Sequence, residues 1–252
     1  LSRSFRPAIS LRVYFVARMS CKRCVSIIGS GNWGSTIAKI IGRNVLQMES
    51  FEDKVRMWVH EEMINGQKLT DLINKVHENV KYLPGVRLPP NVVALPDLES
   101  CCRDADVLIF VLPHQFLKNV CQAMKPHLKF GCYGCSLIKG LNKVPGVGVS
   151  LLTDLIRDTL NIPCAVMMGA NLASEVAEEK FCESTVGSLD RSQGMELKEL
   201  FEVCCLRFVE PTDTRFAFGS RYFIWGLSSD IALEVYALLD ESGTCFNCDV
   251  MP

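Results

Sequence analysis

The stretch CVSIIGSGNWGSTIAKI, from Cys24 to Ile40, limits what this chain can fold into more than any other segment. A run that reads as a buried strand meets Gly29, Gly31 and Gly34, and a helical pattern begins at once near Trp33. Glycine loses more backbone freedom on folding than any other residue, so this spacing needs a physical reason. At a strand–turn–helix corner each glycine has one. Gly29 allows the tight turn, Gly31 lets a diphosphate approach bare backbone, and Gly34 lets the helix pack close to the strand. The helix offers unpaired N–H groups and the positive end of its dipole to those phosphates. The glycine pattern alone is a weak signal, and a purely structural turn is the alternative. Its place between a strand and a helix points to dinucleotide binding through Gly29, Ser30, Gly31, Asn32, Trp33 and Gly34.

The segments that follow extend this context. Apolar runs rich in Val, Ile and Leu predict strands at Val55–Val59, Val107–Leu112, Gly134–Ile138 and Cys164–Met168, with a weaker one at Val92–Ala94. Helical patterns cover Trp33–Asn44, Gln67–Val76, Phe116–Leu128 and Val149–Leu160. Continuous apolar strands separated by helices imply a parallel sheet covered on both faces. The fold class is therefore α/β, a doubly wound, Rossmann-type sheet with helices on both faces.

Composition narrows the function. The 252 residues are 48% hydrophobic with a formal net charge of −1. That balance gives no basic face for nucleic acid or a membrane surface. No apolar run reaches membrane-spanning length. The chain has 13 cysteines, with CxxC spacings at Cys21/Cys24, Cys132/Cys135 and Cys245/Cys248. Two such pairs could build a zinc site. Cys24 and Cys135 fall on predicted buried strands, however, so reduced thiols packed as small hydrophobes are the favoured reading, with no metal.

The first 20 residues carry Arg3, Arg6, Arg12 and Arg18 and no acid. Such a composition suits a mitochondrial transit peptide, but an unstructured leader is preferred.

In an open parallel sheet, ligands sit beyond the carboxyl ends of the strands. The second strand ends at His60, and Glu61 or Glu62 can reach the adenosine ribose and repel a 2′-phosphate, favouring NAD over NADP. The alternative leaves both glutamates as solvated loop residues. Pro113, His114 and Phe116 close the next apolar run. Phe116 suits the nicotinamide wall, and His114 reads equally as catalytic or structural. Lys139, between an apolar run and Gly140, offers a point charge to a phosphate or a carbonyl oxygen. Asn171 either caps the helix after it or donates into the cleft.

Together, GSGNWGSTIAKI, HENVKYLPG, LPPNVVA, PHQF, SLIKG, MGANLASEVAEEKFCE and LKEL resemble, in collinear order from about Cys21 to Leu200, the cytosolic NAD-dependent glycerol-3-phosphate dehydrogenases of animals. The resemblance implies conversion of dihydroxyacetone phosphate and NADH to sn-glycerol 3-phosphate and NAD, in the cytoplasm, by a homodimer. It also implies cofactor contacts at His60, Phe116, Lys139 and Ala173, and substrate contacts at Lys139 and Asn171. His60 departs from the family, which usually has a phenylalanine beside the adenine; an imidazole there should stack more weakly.

The resemblance also implies a domain plan: a leader over 1–20, an NAD-binding domain over 21–214, and a divergent tail over 215–252. The tail, with an amphipathic helix predicted at Ser228–Ser242, does not match the family's helical substrate domain, which carries the general-acid lysine. The alternatives to a working, low-activity enzyme are therefore an NAD(H)-binding module without turnover and a non-functional product of splicing or gene modelling.

Overall fold

The computed structural model describes residues 22–144, 148–169, 172–203 and 206–208. The expected leader, Cys21, Asn171, the tail with its helix, and Cys245/Cys248 lie outside the described residues.

In chain order, β1 (Arg23–Ile28), α1 (Asn32–Asn44) and β2 (Phe51–Trp58) come first. A small hairpin, β3 (Met63–Ile64) and β4 (Gln67–Lys68), precedes α2 (Leu69–Val76) and β5 (Val92–Leu95). Then come α3 (Leu98–Cys102), β6 (Val107–Phe110), α4 (His114–Met124) and β7 (Tyr133–Ser136). A second hairpin, β8 (Leu141–Val144) and β9 (Gly148–Leu151), leads into α5 (Leu152–Leu160) and β10 (Cys164–Met168). The last elements are α6 (Ala173–Ala177), β11 (Cys182–Gly187), α7 (Arg191–Phe201) and β12 (Leu206–Phe208).

Among the described residues the main sheet has eight strands in the order β12-β11-β10-β7-β6-β1-β2-β5. From β5 to β10 all neighbours run parallel. The chain leaves β1 toward β2 and β5 on one side, and later returns to lay β6, β7 and β10 on the other. That reversal beside β1 is the switch point of a doubly wound sheet.

Both faces of the sheet are buried, which is why its strands read as unbroken apolar runs. Val25 and Ile27 of β1 and Val107 and Ile109 of β6 join Ile37 and Ile41 of α1, Leu69 and Ile73 of α2, and Leu197 and Phe201 of α7 in one apolar cluster. Their strand neighbours Ile28, Leu108 and Phe110 pack in a second cluster with Cys101 and Cys102 of α3, Leu117 and Met124 of α4, and Ile156 of α5. Burying one such side chain contributes roughly 1.5–3 kcal/mol.

Several expectations need correction. Predicted strands ending at Leu112 and Ile138 stop earlier, because the chain there leaves the sheet to line a cleft; the one ending at Val59 stops at Trp58, although the Val59 N–H still donates to the Leu95 carbonyl. The helix expected from Gln67 begins at Leu69, Gln67 and Lys68 being hairpin residues. The helix expected from Val149 begins at Leu152, because Val149 lies in β9, paired antiparallel with β8. The sheet also carries a strand that was not foreseen: β11 runs antiparallel to β10, with Val166 opposite Gly187. Cys132 and Cys135 are both buried but belong to different apolar clusters. Among the described residues no group of His, Cys, Asp or Glu could hold a metal ion.

Candidate functional site

The carboxyl ends of β1, β6 and β7 open into a cleft of about 650 Å³ at the switch point. Its floor is the corner between β1 and α1, where the three glycines have different surroundings. Gly29 has φ +121°, a conformation other residues rarely adopt, and a Cβ there would lie 2.3 Å from the Val111 carbonyl oxygen. A Cβ on Gly34 would lie 2.3 Å from the Gly29 carbonyl oxygen. These two glycines are thus required by the chain's own packing. A Cβ on Gly31 would meet nothing within 4 Å. Its bareness serves no internal contact and leaves open space above the backbone.

Gly31 is also the N-cap of α1, with no side-chain cap and no acid in the first turn. The first bond across the turn runs from the Ser35 N–H to the Gly31 carbonyl at 2.9 Å. The N–H groups before Ser35 therefore have no partner within the helix, and the dipole's positive end is not neutralised by the helix's own residues. Space, donors and positive potential coincide, as an anionic group requires. The residues present therefore fit a dinucleotide's diphosphate.

At one end of the cleft stand Trp58, His60, Glu62 and Tyr82. The two glutamates after β2 separate here. Glu61 does not line the cleft; it accepts a hydrogen bond from the Thr70 hydroxyl at 2.6 Å. Glu62 does line it, accepting from the Tyr82 hydroxyl at 2.6 Å and pairing with Lys81. The bond from Lys81, followed by that from Tyr82, holds its carboxyl below the usual carboxylate range.

At the other end Pro113, His114 and Phe116 meet Leu137, Ile138 and Lys139. Pro113 caps α4, whose first residue is His114, an exposed side chain. Phe116 is 53% exposed, a large apolar face turned to the cleft and not to the core. Lys139 follows β7 and precedes Gly140, at φ +124°.

The structure thus brings together Gly29 through Gly34, His60, Phe116 and Lys139. Ala173 is placed apart from this lining: it opens α6, and its carbonyl accepts the Thr36 hydroxyl of α1 at 3.1 Å. Sequence reasoning missed Trp58, Tyr82 and Asn119, which line the cleft, and Asn79, buried beneath it. Tyr82 and Asn79 sit in HENVKYLPG, a segment with no periodicity to reveal which side chains turn inward.

The family model described as NAD-dependent glycerol-3-phosphate dehydrogenase N-terminus matches residues 24–194. The chain is 55% identical over 192 residues to the cytoplasmic glycerol-3-phosphate dehydrogenase [NAD(+)] of Homo sapiens, covering 75% of this chain and 55% of that protein. The Drosophila melanogaster counterpart is 52% identical over 195 residues, with coverage of 77% and 54%. Among solved structures, the glycerol-3-phosphate dehydrogenase of Saccharomyces cerevisiae superposes with a TM-score of 0.71 at 42% identity, covering 75% of this chain and 56% of that one. The chain spans about half the length of the curated relatives it matches.

Proposed function

The chain belongs to the NAD-dependent glycerol-3-phosphate dehydrogenase family, and from that premise we propose that it binds NAD(H) in the switch-point cleft and takes part in the reversible reduction of dihydroxyacetone phosphate to sn-glycerol 3-phosphate. The observation that carries this reading is the bare backbone at Gly31, beside an uncapped helix end, in a cleft that runs on to Lys139. The named relatives are cytoplasmic by their names, and we place this chain there too, as a homodimer.

Each group has a defined share of the work. The N–H groups at the start of α1 hold the diphosphate, with Ser30, Asn32 and Trp33 shaping the loop around it. His60 and Trp58 offer flat faces to the adenine. Glu62, already an anion, accepts from the ribose hydroxyls and repels a 2′-phosphate. Phe116 walls the nicotinamide end and excludes water from it. Lys139 presents its cation to the cofactor and to the substrate, countering charge that develops on the carbonyl oxygen. A substrate contact at Asn171 and a cofactor contact at Ala173 rest on the family resemblance alone, Ala173 lying apart from the cleft lining. Bound NADH supplies the hydride. No described residue is assigned the proton transfer to that oxygen.

The test mixes the 252-residue chain with NADH and dihydroxyacetone phosphate, following absorbance for turnover and NADH fluorescence for binding. NADH binding with consumption dependent on dihydroxyacetone phosphate is the expected outcome. Binding without consumption removes the catalytic part of the proposal. No binding at millimolar NADH removes all of it.

A further inference from the structure

We propose that Asn79 is a positioning residue that sets the polarity of the glycine loop: it holds the Ser30 carbonyl inward so that the Gly31 N–H faces the cleft. The inference rests on the dinucleotide reading above.

Asn79 is fully buried and lies 49 residues from Ser30 in sequence. Its amide nitrogen donates to the Ser30 carbonyl at 2.8 Å and to the Ser35 hydroxyl at 2.8 Å. Its amide oxygen accepts from the Tyr82 N–H at 3.2 Å. The Ser35 hydroxyl completes the set by donating to the same Ser30 carbonyl at 3.3 Å. Both side-chain protons of Asn79 and its oxygen are thus committed, which fixes the orientation of the amide.

The consequence follows from peptide geometry. The peptide between Ser30 and Gly31 is trans. In a trans peptide the carbonyl and the following N–H point in opposite directions across one plane. Two donors holding the Ser30 carbonyl on the buried side therefore turn the Gly31 N–H to the opposite side, where Gly31 lines the cleft. Glycine at 31 leaves this peptide free to rotate, and the reversed orientation would direct a carbonyl oxygen at an incoming phosphate. Asn79 removes that freedom without touching the ligand. The same short segment supplies Tyr82, which fixes Glu62 at the other end of the cleft.

The experiment compares Asn79→Ala and the milder Ser35→Ala with the unaltered chain. Two probes are used, ADP-ribose, which carries the diphosphate, and adenosine, which does not. Calorimetry follows the first and saturation-transfer NMR the second. Asn79→Ala should weaken ADP-ribose by about tenfold or more and leave adenosine within about twofold. Ser35→Ala, which removes one acceptor and one donor from the set, should show the same split in smaller degree, and decides the matter if Asn79→Ala does not fold. An equal loss of both probes, or ADP-ribose affinity unchanged, overturns the inference. An unaltered chain that binds no ADP-ribose overturns the dinucleotide reading and this inference with it. An unaltered chain that binds, beside variants that bind equally well, overturns this inference alone.

Discussion

Alanine at Gly31 and alanine at Gly34 add the same methyl group near the same helix end, and they should fail in opposite ways. At Gly34 the new Cβ would sit 2.3 Å from the Gly29 carbonyl oxygen and 2.9 Å from its carbon. That neighbour is main chain, so no side chain can swing aside. The corner between β1 and α1 must open by about 1 Å to restore ordinary contact. Overpacking of this kind costs about 1–3 kcal/mol, against about 1 kcal/mol that alanine gains over glycine within a helix. Because the neighbour is main chain the upper part of that range applies, about 2–3 kcal/mol, so the net is a loss of roughly 1–2 kcal/mol, at about 2–4 °C in Tm for each kcal/mol in a chain of this size.

At Gly31 the arithmetic reverses. Its φ of −65° and ψ of −170° suit alanine, and nothing lies within 4 Å of the added carbon. Stability should fall by no more than about 1 kcal/mol, the cost of replacing glycine by the poorer N-cap alanine, with no steric clash added to it. The methyl group instead occupies the space above the backbone N–H groups. Each charge-assisted hydrogen bond lost to a diphosphate removes about 1.5–3 kcal/mol, or about 10–100-fold in affinity. Thermal melts without ligand and NADH fluorescence titrations separate the two effects. A Gly31→Ala chain that binds NADH like the unaltered one refutes the phosphate-cradle reasoning. A Gly34→Ala chain that melts with the unaltered one refutes the close approach of helix and strand.

Four further outcomes are expected. Lys139→Ala should reduce any signal that depends on dihydroxyacetone phosphate more than it reduces NADH binding, measured by fluorescence with and without the substrate. Glu62→Ala should weaken NADH and raise the relative affinity for NADPH about tenfold, because it removes an anion and releases the Lys81 cation toward a 2′-phosphate. Since Lys81 and Tyr82 hold the Glu62 carboxyl below the usual range, it stays ionised from about pH 8 to pH 6, and the unaltered chain's preference for NADH over NADPH should persist there, narrowing only as the 2′-phosphate, with a second pKa of about 6, takes up a proton. Burial pushes the Cys101, Cys121 and Cys164 thiols up to about 12; less than about one in a thousand is then ionised at pH 8, so peptide mapping after iodoacetamide should find all three unlabelled in the folded chain and labelled in denaturant.

What was legible in the sequence follows from how local each feature is. The corner from β1 into α1 is set by contacts among residues a few positions apart, together with the carbonyl of Val111, and its glycines announce it. Strands buried on both faces announce themselves by unbroken apolar runs, which is why β10 spans the expected residues. Features that depend on pairing across the chain were hidden. The residues of β9, GVSL, continue into the apolar start of α5 with no change of period, and only β8 across the hairpin makes them a strand. β11 reads CESTVG, too polar to stand out; its antiparallel ladder to β10 defines it. The helix α7 carries local signals of its own. Asp190 caps it, accepting from the N–H groups of Ser192 and Gln193, and Leu197, Leu200 and Phe201 mark its buried side.

The same division runs through the site and accounts for which positions can vary. The proposed diphosphate end is built from main chain, so what the sequence must specify there is the absence of side chains, at Gly29 and Gly34 because the chain's own packing forbids them and at Gly31 to leave room for a ligand. The proposed adenosine end offers flat faces, His60 among them, and one carboxylate, which different residues can supply. A substitution of one flat face by another changes stacking strength without moving the backbone, so it leaves the phosphate donors aimed as before. Asn79 belongs to neither class. It does not itself line the cleft, yet the direction of the Gly31 N–H depends on it, through a carbonyl that, among the described residues, it alone reaches from outside the corner. Its side chain should therefore be harder to replace than that of His60, although His60 lines the cleft and Asn79 does not.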